Sequence, residues 1–153
     1  KIHSYINIPD TSDRDSLFQA EARRCKDILE SICNNSESLN HFCIFDELYS
    51  GTNHYEAICS ATSFLNYVSK YKNVSVIITT HFIDLCKHME KNINYKNCYM
   101  ETEEIDCKLI YKYKLKEGIT KIKGGVKVLE QLKYPEEIIN NTLKMINNTF
   151  DSN

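Results

Sequence analysis

The chain has 153 residues, a net charge of −2 and 42% hydrophobic residues, which is enough for one domain with a real core. So small a charge gives no overall basic field to attract nucleic acid, and no signal peptide or apolar run near the roughly 20 residues of a bilayer span is present. Seven cysteines, an odd number with no CxxC pair or His/Cys ligand spacing, read as free thiols in a reducing intracellular compartment (nucleus, cytoplasm or viral factory alike) and argue against a zinc site.

The first residue is Lys1 rather than Met, so the sequence is expected to be a piece of a longer protein. Ile2 to Ile8 alternate loosely and predict a strand. Pro9 to Asp15 has a turn composition. A helix is expected from Ser16, with Phe18, Ala22, Cys25, Leu29 and Ile32 as its apolar stripe. Ser16 and Gln19 fit a capping box at its start. Asn34 to Asn40 reads as a loop.

Phe42 to Glu47 and Val74 to Thr80 are apolar enough to predict strands buried on both faces of a parallel sheet. Between them, Tyr55 to Lys70 predicts a helix with Ile58, Ala61, Leu65 and Val68 inward. This strand–helix–strand spacing calls for a right-handed parallel crossover. Phe82 to Lys91 reads as a short helix with Leu85, Cys86 and Met89 inward. His41, His54 and His88 read as surface positions.

The pattern then changes. Tyr95 to Glu101 and Cys107 to Leu115 predict an antiparallel hairpin with Glu101 to Asp106 as an acidic connector. Leu109, Tyr111, Tyr113 and Leu115 are expected on one face, with lysines on a solvated opposite face. Gly124-Gly125 is expected to break the chain before helices over Val126 to Leu132 and Glu136 to Thr149, with Pro135 placed to start the second. The fold class is α/β: parallel strands with crossover helices, then an antiparallel hairpin and C-terminal helices.

The strongest chemical signal is the strand that ends in Asp46-Glu47. Strand C-termini are where open α/β sheets bind ligands. Two adjacent carboxylates there suit nucleoside triphosphate hydrolysis. Asp46 would hold Mg²⁺ through water, since that ion keeps much of its hydration shell. Glu47 would orient and deprotonate a water. His81, after the neighbouring strand, would reach the terminal phosphate. Taken singly, each has a plainer role: a polar rim acid, a rim histidine, and for Ser16 an N-cap. A capped helix N-terminus is also a phosphate site.

Three segments together resemble the ATPase domain of MutS-family DNA mismatch-repair proteins. They are Ser16-Leu17-Phe18-Gln19-Ala20-Glu21, then Phe45-Asp46-Glu47-Leu48-Tyr49-Ser50-Gly51-Thr52-Asn53, then Thr79-Thr80-His81-Phe82. Gly125 followed by Pro135 and a helix is similar to the family's C-terminal segment. The resemblance runs from about Ser12 to Ile146 and implies half of a P-loop NTPase domain of the ABC type. Residues 1–123 would be the C-terminal part of the ATPase domain and 124–153 a helical dimerisation segment.

The resemblance implies ATP and Mg²⁺ as ligands. Asp46 is then the Mg²⁺ carboxylate, Glu47 the catalytic base and His81 the γ-phosphate sensor. Gly51, Thr52 and Asn53 form a loop at a dimer interface, and Ser16 contacts ATP held by a partner subunit. Double-stranded DNA would be bound through upstream domains, in a homodimer or a heterodimer with a second MutS-like subunit, with no membrane involved.

The sequence departs from the family pattern at Leu17, Ser50, Asn53 and His54, where Thr or Ser, Arg, Ser and Thr are usual. No G-x-x-x-x-G-K-[ST] loop is present, so hydrolysis is expected of the intact parent and not of this chain alone. Two other readings compete: another ABC-type ATPase, of a transporter or of chromosome maintenance, and a non-catalytic dimerisation remnant. The former usually carries Leu-Ser-Gly-Gly-Gln before the acidic strand, and this chain does not.

Overall fold

The computed structural model describes residues 1–6, 16–34, 39–105, 108–120, 122 and 124–150. The chain forms two compact units, Lys1–Asn97 and Cys98–Asn153. The first holds β1 (Ile2–Tyr5), α1 (Leu17–Asn34), β2 (His41–Asp46), α2 (His54–Val68), β3 (Val74–Thr79) and α3 (Ile83–Met89). The strands form a parallel sheet in the order β1-β2-β3. The predicted strand ends at Tyr5, Ile6 lying beyond it, while its predicted continuation over residues 7–8 and the loop 9–15 lie outside the described residues.

Alternation decides which side of this sheet is covered. His3 and Tyr5 of β1 and His41, Cys43 and Phe45 of β2 point to one face and are buried. Against them lie Cys25, Ile28 and Ile32 of α1 and Ala57, Ile58, Ala61, Phe64, Leu65 and Val68 of α2. Each fully buried aliphatic or aromatic side chain contributes about 1.5–3 kcal/mol. The helices share one face because successive crossovers of one hand, stepping in one direction, stack on one side.

The other face is open, which corrects the expectation of strands buried on both sides. Ile77 is 55% exposed and Phe42 36%. Continuous apolar sequence marks a strand but does not say whether the same chain covers both of its faces. On α1 the apolar stripe is Cys25, Ile28 and Ile32, with Phe18, Ala22 and Leu29 half-buried at its margin. The described cysteines are free thiols, and among the described residues no helix is long and apolar enough to cross a membrane.

His41 is not a surface residue: it is 2% exposed, its ring stacked on that of His3, with His3 Nε2 and His41 Nδ1 2.8 Å apart. Its place on the inward side of β2 overrides its polarity. His54 and His88 are exposed, as expected. Burial, then His41, Lys1, the terminal amine and Arg24, hold the His3 pKa below its ordinary 6.5. The folded chain therefore resists a proton that the unfolded chain accepts. The stability contributed by His3 is complete above the ordinary imidazole pKa and is lost as the pH falls below it. Urea midpoints at about pH 7.5 and about pH 5.5 should differ, with less difference in His3→Gln. Equal pH dependence in the two proteins would refute this.

The second unit contains β4 (Cys98–Ile105), β5 (Lys108–Glu117), α4 (Gly124–Gln131) and α5 (Glu136–Phe150). The strands pair antiparallel, as predicted, from Cys98↔Glu117 to Ile105↔Lys108. The acidic connector is corrected: Glu101, Glu103 and Glu104 are strand residues, while Asp106 and Cys107 lie outside the described residues. Their charges are met by Lys116 at 3.5 Å, Lys112 at 2.8 Å and Lys127 at 2.8 Å respectively. Opposite charges across a pair support a strand that propensity alone disfavours, although each such exposed pair adds only about 0–1 kcal/mol.

A register shift between Met100 and Thr102, with Tyr113 at φ 54, interrupts the expected Leu109–Leu115 face. Tyr113 and Leu115 are exposed. Gly124 and Gly125 do not break the chain; they form the first turn of α4. Lys127 of α4 bridges Glu104 and Glu130, and bonds to these two carboxylates raise its pKa. Pro135 precedes α5, its carbonyl accepting from the Ile138 and Ile139 N–H groups. On α5, Ile139, Leu143 and Ile146 are half-buried. The side chain of Phe150 and the tail 151–153 lie outside the described ones.

Candidate functional site

The parallel register sets Asp46 opposite Thr79 at the C-terminal ends of β2 and β3. The Thr79 hydroxyl donates to Asp46 Oδ1. Asp46 is exposed, so its carboxylate has lone pairs beyond that bond. Glu47 has left the strand: its φ is 53, in the left-handed region, while its N–H still donates to the Thr79 carbonyl at 3.1 Å. That turn carries its carboxylate to His81. Nδ1 of His81 lies 2.5 Å from Glu47 Oε2, and the His81 backbone N–H donates to the same oxygen at 3.3 Å. The ring is 66% exposed and the Glu47 side chain 37%. Phe82, itself buried, lies against the ring at 4.4 Å between centroids and also meets the His54 ring, nearly perpendicular, at 4.9 Å.

The segment that follows is fastened at each residue. Leu48 is fully buried. Tyr49, at φ 61, donates its N–H to the Tyr5 hydroxyl at 3.2 Å. Burial first, then in Tyr49 the neighbouring Cys25, pushes the Tyr49 phenol above its ordinary pKa; Tyr5 is also raised, again mainly by burial. Cys25, likewise buried, is pushed up to about 12. These groups are neutral packing elements at neutral pH, not nucleophiles.

Gly51 lies against the first turn of α1. A β-carbon there would meet Leu17 Cγ at 2.7 Å and the Phe18 nitrogen at 2.8 Å, so only glycine fits. Thr52 donates its hydroxyl to Glu56 at 3.0 Å, and Asn53 Oδ1 caps α2 by accepting the Glu56 N–H. Ser16 makes the predicted reciprocal capping box, with Gln19 N–H to Ser16 Oγ at 3.3 Å and Ser16 N–H to Gln19 Oε1 at 2.8 Å.

The residues expected from sequence therefore fall into two groups. Asp46, Glu47 and His81 meet at the strand ends. Ser16 begins the helix whose first turn meets Gly51, with Thr52 and Asn53 following as the entry to α2. Joining Gly51 to α1 is Glu21, a motif residue to which the sequence alone assigns no role. Glu21 is 2% exposed, and its carboxylate accepts from the Ser50 hydroxyl and the Gly51 N–H, each at 3.0 Å. Its signal was available: Glu21, Cys25, Ile28 and Ile32 follow at spacings of four, three and four, which puts an acid on the buried stripe of α1.

Comparison with known proteins identifies the family. The family described as MutS domain V matches residues 1–149. The DNA mismatch repair protein MutS of Aquifex pyrophilus is 30% identical over 118 residues, 77% of this chain and 14% of that protein. The MutS protein of Bacteroides fragilis is 29% identical over 143 residues, 91% of this chain and 16% of that protein. That of Bacillus licheniformis is 26% identical over 124 residues, 81% and 14% respectively. The chain thus spans about a sixth or less of the length of the relatives it matches.

Proposed function

This chain belongs to the MutS domain V family, and on that premise we propose that Lys1–Asn97 supplies the hydrolytic edge of an ATPase site, in a protein that couples its ATP state to binding of mismatched DNA in DNA mismatch repair. The observation that carries the reading is the meeting of Asp46, Glu47 and His81 at adjacent parallel strand ends, with Glu47 and His81 2.5 Å apart. The phosphate-cradling loop would come from another part of the protein, in keeping with the small share of its relatives that this chain spans.

The donor set suits magnesium. Among the described residues no three or more His, Cys, Asp or Glu side chains converge to cage an ion. Mg²⁺ needs only one or two carboxylates, its other positions going to water and phosphate oxygens. Asp46, exposed and anchored by Thr79, offers one such carboxylate. Bound with ATP, the ion would neutralise charge on the phosphate oxygens.

Glu47 would take the proton of the attacking water. Oε2 already has two donors from His81, which leaves Oε1 for that water and fixes the plane of the carboxylate. With Nδ1–H donating to Glu47, Nε2 of the exposed His81 ring would bond a terminal phosphate oxygen as the second donor of an imidazolium, the form in which both ring nitrogens donate. Ser16, at the N-terminus of the 18-residue α1, would meet ATP held by a partner subunit, where the helix end favours an anion. Gly51, Thr52 and Asn53 would lie at that interface. Homodimer and heterodimer both satisfy this arrangement, and double-stranded DNA would be held by other domains.

Asp46→Ala in the intact protein tests the ion. Mg²⁺-dependent ATP affinity should fall by about tenfold or more, judged by the effect of disturbing metal sites generally, and ATP binding without Mg²⁺ should stay unchanged. A Mg²⁺ response equal to that of the unaltered protein would rule out Asp46 as its anchor.

A further inference from the structure

Glu21 is a buried carboxylate that the hydrolytic reading leaves unused. A glutamate that is 2% exposed persists only where its oxygens are satisfied. Both are. Oε1 accepts the Ser50 hydroxyl, and Oε2 accepts the Gly51 N–H. The two donors are successive residues of the turn that begins at Glu47, whose carbonyl in turn accepts the Ser50 N–H at 3.2 Å. One side chain of α1 thus holds the turn that carries the half-buried Glu47 carboxylate. The contact is tight, since Gly51 leaves no room for a β-carbon between itself and Leu17 and Phe18.

We propose that Glu21 is a positioning residue: by gripping Ser50 and Gly51 it fixes the Glu47 carboxylate in register with the N-terminus of α1 at Ser16, so that what this chain offers its own ATP site and what it offers the partner's move as one piece. The catalytic part rests on the reading of Glu47 as a base; the clamp is a hydrogen-bond arrangement that stands apart from it. Buried as it is, Glu21 touches no substrate. Its work needs acceptors in the right places and not a negative charge. Glutamine meets that need: its amide oxygen accepts the Gly51 N–H, and its NH₂ donates to Ser50 Oγ, whose own hydrogen can turn away. Alanine meets neither and leaves the Gly51 N–H without its partner.

The test compares Glu21→Gln, Glu21→Ala and Ser50→Ala in the intact protein with two readouts. One is hydrogen exchange in the peptide Glu47–Asn53, with Cys43–Phe45 of β2 as the reference. The other is ATP hydrolysis with kcat and KM separated. In Glu21→Ala, exchange in the Glu47–Asn53 peptide should quicken by about fivefold or more, the net weight of a hydrogen bond, while the β2 reference stays protected. Its kcat should fall by about 10–100-fold, as small misplacement of a reacting group does, with KM for ATP within about twofold of normal because this clamp makes no nucleotide contact.

Glu21→Gln should restore both readouts, and Ser50→Ala should lie between. Unchanged exchange in Glu21→Ala overturns the clamp. Faster exchange with normal kcat overturns the positioning role, and so does a glutamine variant as impaired as alanine. Should Glu21→Ala fail to fold, Ser50→Ala decides, because it removes one bond and almost no volume: unchanged exchange there overturns the clamp. An intact protein whose hydrolysis ignores Glu47→Gln overturns the base assignment, and with it the catalytic half of the proposal, while exchange still decides the clamp.

Discussion

Glu47→Gln in the intact protein should slow ATP hydrolysis by about 10²–10⁴-fold, the usual weight of a general base, and leave ATP and Mg²⁺ binding near normal. Glutamine has the size of glutamate, and its amide oxygen can still accept from His81 Nδ1, so the local geometry survives. What it cannot do is take a proton from water. Asp46 and Thr79 are untouched by the change, so the anchor proposed for the ion persists. Single-turnover hydrolysis beside equilibrium ATP binding separates the two effects. A normal hydrolytic rate would show that another group is the base; lost binding would show that Glu47 holds the nucleotide instead.

The second large effect lies two residues earlier. Phe45→Ala should destabilise the first unit by about 3–5 kcal/mol, the range for emptying a buried aromatic site. Phe45 has no exposed surface. Its ring meets Phe64 edge-on at 5.5 Å and Tyr5 at 5.9 Å, so strand, helix and neighbouring strand all lose a partner together. Urea unfolding followed by circular dichroism measures the change. A loss under about 1 kcal/mol would mean that the core closes over the gap, contrary to the close packing that such interiors normally have. Because Phe45 precedes Asp46 and Glu47 directly, the same gap should loosen the strand end that carries them.

How far the sequence discloses this molecule depends on whether the deciding information is local. β2 and β3 could be read from their apolar runs, and the meeting of Asp46 and Glu47 with His81 followed from placing two parallel strands side by side. The Ser16–Gln19 capping box is a contact over three residues and was equally legible. The open face at Phe42 and Ile77 was not, because hydropathy reports that a side chain avoids water and not which partner covers it. His41 was misplaced for the converse reason: a polar residue on the inward side of a strand is buried with whatever neighbour the register supplies, here His3. Glu101, Glu103 and Glu104 looked like a connector because their lysine partners lie on β5 and α4, beyond any local window. Glu21 shows the same limit at the site. Its place on the α1 stripe was visible, but the turn it grips is about thirty residues away.

The backbone of Glu47 has a consequence for how this position can drift. At φ 53 it occupies a region that costs a residue with a β-carbon about 1–2 kcal/mol and that glycine, or more modestly asparagine, enters readily. Selection for folding alone therefore favours Gly or Asn at position 47, whereas, if Glu47 is the base proposed above, selection for proton transfer would keep an acid in an unfavourable conformation. The residue found here in any lineage is accordingly a record of which pressure that lineage has been under. A copy released from catalysis should lose its glutamate at 47 before it loses Phe45 or Gly51, since those two are held by packing that folding itself requires.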